Sequence, residues 1–189
     1  MRRTLAALTL IAFAAVSSTA SAQNLVTNGS FETGDFTGWT GTGNMGFNGV
    51  YCPGIGGYGV QSGNCAAFFG PIGSIGGISQ AITTAIGATY SFTFFLSNDG
   101  ANNNSFAALV NGVTLLSQTN TPQSALVMQS INFTATSAST TIAFNFRDDP
   151  AFMFLDNVSV VATPEPSTYV LMAAGLFGVA LVRRRGRRA

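Results

Sequence analysis

The middle of the chain alternates apolar and polar residues with a period of two. Over residues 90–96, Tyr90, Phe92, Phe94 and Leu96 fall on one face, with Ser91 and Thr93 on the other, the pattern of a half-buried strand. Phe106 to Gln118 carries Asn111-Gly112 between two apolar runs, a strong short-range signal for a hairpin. Ile131 to Thr134 reads as another strand, as does the stretch in which Ile142, Phe144 and Phe146 alternate with Ala143 and Asn145, and as does Val158 to Val160. No stretch before Ser167 keeps a helical period for twelve residues. Short strands punctuated by turn signals, with most of the 22 glycines between them, predict an all-β antiparallel sandwich of the jelly-roll kind. A strand as apolar as 90–97 needs burial on both faces or a covered edge.

The two ends depart from this pattern. Residues 1–22 combine Arg2-Arg3, an apolar run from Leu5 to Val16 and a small-residue ending, Ala20-Ser21-Ala22, the three parts of a secretory signal peptide cleaved after Ala22. At the other end, Pro164-Glu165-Pro166-Ser167 precedes the apolar run Tyr169 to Val182 and the arginines Arg183, Arg184, Arg185, Arg187 and Arg188. That run is shorter than the roughly twenty residues that span a bilayer comfortably. The arginine cluster would act as a stop-transfer signal and hold its end of the helix, placed at 168–182, on the cytoplasmic side. The expected organisation is a signal peptide (1–22), a β-sandwich domain (23–163) and a C-terminal segment (164–189) of apolar run and arginine cluster.

Charge sharpens this partition. Only 8% of the 189 residues are charged, and the chain contains neither lysine nor histidine. Schiff-base chemistry, histidine-assisted nucleophiles and histidine-ligated zinc are closed to it on its own. Residues 23–163 hold Arg147 against Glu32, Asp35, Asp99, Asp148, Asp149 and Asp156, a net of −5 that excludes nucleic acid as a natural partner. Cys52 and Cys65 are the only cysteines, and in an exported chain the pair reads as a disulfide, which would stabilise by about 3 kcal/mol for so short a loop.

The order Pro-Glu-Pro, apolar run, arginines resembles the PEP-CTERM sorting signal of exported proteins in Gram-negative, exopolysaccharide-making bacteria. The resemblance implies transient anchoring in the inner membrane and recognition by an exosortase as partner. Delivery to the cell surface or the extracellular matrix would follow. The simpler alternative is an ordinary C-terminal anchor.

Asn24 to Glu32, followed by Gly38-Trp39, and the closing Phe154-Leu155-Asp156-Asn157-Val158 resemble the first and last strands of galactose-binding-like jelly rolls, a fold of many carbohydrate-binding modules. The resemblance implies a structural Ca²⁺ joining the terminal strands, with Glu32 and Asp156 as its carboxylate ligands. The alternative for both is a solvated strand-end acid or turn former. Asp148-Asp149, just before Pro150, reads as a turn rather than a ligand pair, and Trp39 as core.

Aromatic faces stack on sugar rings while amides and acids bond the hydroxyls. On that chemistry Tyr51 and Tyr58, in a glycine-rich segment closed by the cysteines, and Asp99, Asn102 and Asn103, in a polar loop, are the candidate sugar-binding residues. No catalytic residue is assigned, because no spacing pairs two carboxylates as the acid and nucleophile of a glycoside hydrolase. The expected function is a non-catalytic surface module associated with exopolysaccharide or surface glycans. A structural or adhesive matrix protein without a defined sugar site is the alternative, and a glycoside hydrolase the distant one.

Overall fold

The computed structural model describes residues 23–100, 103–163, 172–179 and 183. The signal peptide, Asn102, the motif Pro164 to Ser167, and Arg184, Arg185, Arg187 and Arg188 lie outside the described residues. Residues 172–179 are helical and exposed, and Arg183 is also exposed. No helix among the described residues is long and apolar enough to cross a membrane.

Ten strands form the domain. They are β1 (Thr40–Gly43), β2 (Asn48–Tyr51), β3 (Ala66–Phe69), β4 (Gly76–Thr83), β5 (Thr89–Asn98), β6 (Asn103–Val110), β7 (Val113–Thr119), β8 (Ser124–Thr134), β9 (Ser139–Asp149) and β10 (Met153–Ala162). Sheet I runs β1-β4-β9-β6-β7 and sheet II runs β2-β3-β10-β5-β8, with every pairing antiparallel. This is the antiparallel jelly-roll sandwich that the alternation predicts. The apolar strand β5 lies between β10 and β8, so neither of its edges is free.

The strands form because each inward set is apolar and β-favouring. Tyr90, Phe92, Phe94 and Leu96 of β5 face Ile142, Phe144 and Phe146 of β9 across the interior, all at most 5% exposed. Phe144 sits at the centre, with ring centroids 4.9 Å from Phe94, 5.4 Å from Phe92 and 6.0 Å from Phe106. Trp39 is core as expected: it stacks on Phe31 at 5.8 Å, and its ring N–H donates to the Asn28 carbonyl. The β6–β7 hairpin turns at Asn111-Gly112, whose φ values of 50° and 79° are those a two-residue primed turn requires.

The N-terminal segment departs from the sequence expectation. Residues 24–39 hold irregular backbone and turns rather than a first strand. β3 pairs with β10 over Met153 to Leu155 and then stops at the irregularity between Asp156 and Ser159. Beyond it the N-terminal segment takes over that side through single bonds, Val158 N–H to the Gly29 carbonyl and Leu25 N–H to the Val160 carbonyl. Asp148 and Asp149 also differ from expectation: they close β9 rather than form a turn, which begins only at Pro150.

Candidate functional site

The disulfide Cys52–Cys65 is present and closes the loop between β2 and β3. That loop folds over the outer face of sheet II, because two carboxylates on neighbouring segments accept its backbone N–H groups. Asp156 Oδ2 accepts from Gln61 at 2.8 Å and Ser62 at 3.1 Å, and Glu32 Oε1 accepts from Asn64 and Cys65, both at 2.9 Å. Gly63 makes the approach possible, since a Cβ there would lie 2.3 Å from Glu32 Oε1.

Glu32 and Asp156 thus both engage one end of the loop, as hydrogen-bond acceptors. Calcium takes six to eight oxygen ligands. Glu32 Oε1 and Asp156 Oδ2 each already accept two N–H groups and Asp156 Oδ1 accepts the Asn157 N–H, so in this geometry those three oxygens are poor ligands for the ion. Among the described residues no group of three or more His, Cys, Asp or Glu side chains could hold a metal. Burial pushes the fully buried Asp156 carboxyl up; the N–H groups of Ser62, Gln61 and Asn157 pull it back, and the charge of Glu32 adds to the rise.

Over the same face, Tyr58 lies edge-on to Phe154, ring centroids 5.2 Å apart, and its hydroxyl donates to Asp99 Oδ1. Gly59 allows this packing, because any Cβ there would lie 2.3 Å from the Phe154 ring. The Asp99 hydrogen bond, assisted by partial burial, holds the Tyr58 hydroxyl above its ordinary pKa. Asp99 is itself fixed by its N–H donating to the Phe152 carbonyl. Although held at both ends, the Tyr58 ring remains 59% exposed. Tyr51, at the end of β2, stands on the same outer face and is 48% exposed. Asn103 opens β6 and points outward from sheet I, away from the two tyrosines.

Two asparagines that flank the polar loop after β5 belong to the interior. Asn98 and Asn104, 3% and 2% exposed, clamp Thr121 between them: Asn98 donates to its carbonyl and hydroxyl, and Asn104 exchanges bonds with its backbone. Asp148, opposite Asn104 in the β6–β9 register, is fully buried, and neither side-chain oxygen makes a well-formed hydrogen bond among the described residues; the neighbouring Asp149 N–H relieves it only in part. Burial first, and then the charge of Asp99, pushes its carboxyl up to about 6.

The family model described as "Protein of unknown function (DUF642)" matches residues 35–161, and the model for the PEP-CTERM protein-sorting motif matches residues 162–185. No curated protein matches the chain. Among solved structures, TmCBM61 in complex with beta-1,4-galactotriose is 16% identical with a TM-score of 0.59, over 75% of this chain and all of that one. The K1 cleaved adhesin domain of Lys-gingipain from Porphyromonas gingivalis W83 is 18% identical (TM-score 0.53, 71% of this chain and 96% of that one). The CBM22-1 xylan-binding domain of Paenibacillus barcinonensis Xyn10C is 16% identical (TM-score 0.52, 76% and 97%). At such identities these likenesses establish the fold, which is that of carbohydrate-binding modules. The sorting motif implies export to the surface or the extracellular space. With a matching model over two thirds of its length, the chain belongs to the DUF642 family and carries a PEP-CTERM sorting motif at its C-terminal end.

Proposed function

We propose that this protein is a non-catalytic surface module, sorted by an exosortase, that associates with extracellular polysaccharide through the outer face of sheet II around Tyr58. The observation that carries the reading is an aromatic ring that is both exposed and immobilised. Phe154 packs against the Tyr58 ring and Asp99 holds its hydroxyl, so stacking a sugar on it orders little that is free. Asp99 leaves acceptor capacity for sugar hydroxyls beside the ring, and Tyr51 offers a second aromatic surface on the same face.

The acidic residues support a binding rather than a hydrolytic role. Glu32 and Asp156 are engaged by the disulfide loop, Asp99 by Tyr58, Asp35 by Thr33 and Thr37, and Asp149 by Arg147 at 3.5 Å. Asp148 is sealed inside the sandwich. Glycoside hydrolysis needs two carboxyl groups facing one sugar from an open cleft; Glu32 and Asp156 lie near each other but accept the loop's N–H groups, and Asp148, within reach of the Asp99 charge, is closed off from solvent. Binding of the full-length chain to immobilised exopolysaccharide, measured with Tyr58→Ala beside the unaltered protein, tests the proposal. Loss of the stacking surface should weaken binding by about tenfold, on the order of 1.4 kcal/mol. Equal retention of both proteins, or retention of neither, rejects it.

A further inference from the structure

The sandwich closes differently along its two long edges. On the β1/β2 side the partly buried Phe36, Met45 and Val50 pack against the core. The β7/β8 side begins the same way, with Leu116 opposite Ala108 and Ile131 opposite Phe92, both packed on the core. One layer further along, the pattern changes. Phe94 and Phe106 face each other across the interior with ring centroids 5.6 Å apart, and the residues beside them on the outer strands are Gln129 and Gln118. Alternation places both glutamines inward, in phase with Ile131 and Leu116, at positions where an apolar side chain would complete the core. Neither side-chain amide has a hydrogen-bond partner among the described residues, and each is half-buried.

Between them lies a cavity of about 360 Å³, at the small end of the roughly 300–1,000 Å³ typical of ligand pockets. Leu96 and Met153 form a buried apolar floor, Val127 and Pro122 add apolar walls, and Thr121 and Ser124 stand at the rim. No charged residue among those described lines it. Two primary amides over an apolar floor present paired donors and acceptors beside a surface for C–H groups. That chemistry suits a neutral ring carrying adjacent hydroxyls and offers nothing to an ion. The cavity lies between sheet edges, so it takes a ring end-on rather than a chain lying across it.

We propose that the Gln118/Gln129 cleft is a second binding site, for the terminal residue of a neutral saccharide. Only the ligand class is shared with the role proposed for Tyr58, and the residues are different, so the two stand or fall separately.

The test is ligand-observed NMR on the full-length chain with methyl α- and β-glycosides of glucose, galactose and mannose and with xylose. At least one probe should bind with a millimolar Kd. The affinity should fall tenfold or more in the double variant Gln118→Leu/Gln129→Leu and should survive in Tyr58→Ala. The double variant should also melt at a higher temperature than the unaltered protein, since leucine completes the core where the amides do not. Glutamines kept for structure alone would give a lower melting temperature. Val127→Trp, which leaves both amides in place and fills the cavity, should abolish binding as well. The proposal is overturned if no probe binds, if binding survives both the double variant and Val127→Trp, or if it disappears with Tyr58→Ala alone.

Discussion

Asp148→Asn isolates the largest electrostatic cost in the fold. Asp148 is fully buried, neither of its oxygens makes a well-formed hydrogen bond among the described residues, and its carboxyl is raised from 3.8 to about 6 by burial and by Asp99. A raised carboxyl means that the native state binds the proton more tightly than the unfolded chain. Stability from this group is therefore complete below pH 3.8, falls as the pH rises through the interval to about 6, and is flat above it. The gap corresponds to about 3 kcal/mol at 1.36 kcal/mol per pH unit. Asparagine removes the charge but brings an amide whose own unmet hydrogen bonds cost about 1–3 kcal/mol, so the net gain at pH 7.5 is smaller than the gap. The informative quantity is the change in pH dependence. Urea unfolding of both proteins at pH 4 and pH 7.5, disulfide intact, should show the stability difference between them shifting by about 2.4 kcal/mol in favour of the variant at the higher pH, since about 0.6 kcal/mol is already lost at pH 4. Asp156 is raised too, but it is common to both proteins and cancels. Parallel pH profiles would mean that Asp148 is solvated or paired in solution, and the reasoning from burial would fail.

Two further predictions concern the loop over sheet II. Glu32→Ala deprives the Asn64 and Cys65 N–H groups of their acceptor and should cost about 1–2 kcal/mol in urea unfolding; Cys52→Ser/Cys65→Ser should cost about 3 kcal/mol. The two effects should be non-additive, because each releases the same loop, and simple additivity would show that Glu32 does not anchor it. A chelator should leave the melting temperature of the unaltered protein in place, since N–H groups already engage Glu32 Oε1 and both Asp156 oxygens. A fall reversed by added Ca²⁺ would instead restore Glu32 and Asp156 as its ligands.

What could be read in the sequence was whatever one strand decides by itself. The alternation at 90–96 and 142–146 survives into β5 and β9 because each face has a single environment along its length. Where partners decide, the reading failed. Asn98 and Asn104 look like loop residues because asparagine favours turns, yet they end one strand and begin another in order to hold Thr121. Asp148 looked like a turn residue beside a proline, and only the β6 register places it inside. β4 was hidden by Gly76 and Gly77, poor strand formers needed because Cβ atoms there would lie 1.7 and 2.0 Å from the carbonyl oxygens of Asn44 and Phe144.

The same division separates the two binding surfaces. Tyr58 and Asp99 are each legible as sugar-binding chemistry, but they lie 41 positions apart, and no spacing rule joins them. Gln118 is hidden in another way: Val113 and Leu115 are the alternating apolar pair of β7, and only the register shift that sets Leu116 opposite Ala108 turns Leu116 and Gln118 inward. What the sequence cannot supply is that β7 and β8 are the last strands of their sheets and meet there. A glutamine facing inward on a central strand would be a buried defect. Two of them, facing each other at the open edge of a sandwich with no third layer among the described residues to bond, are satisfied by water or by a ligand that brings its own hydroxyls.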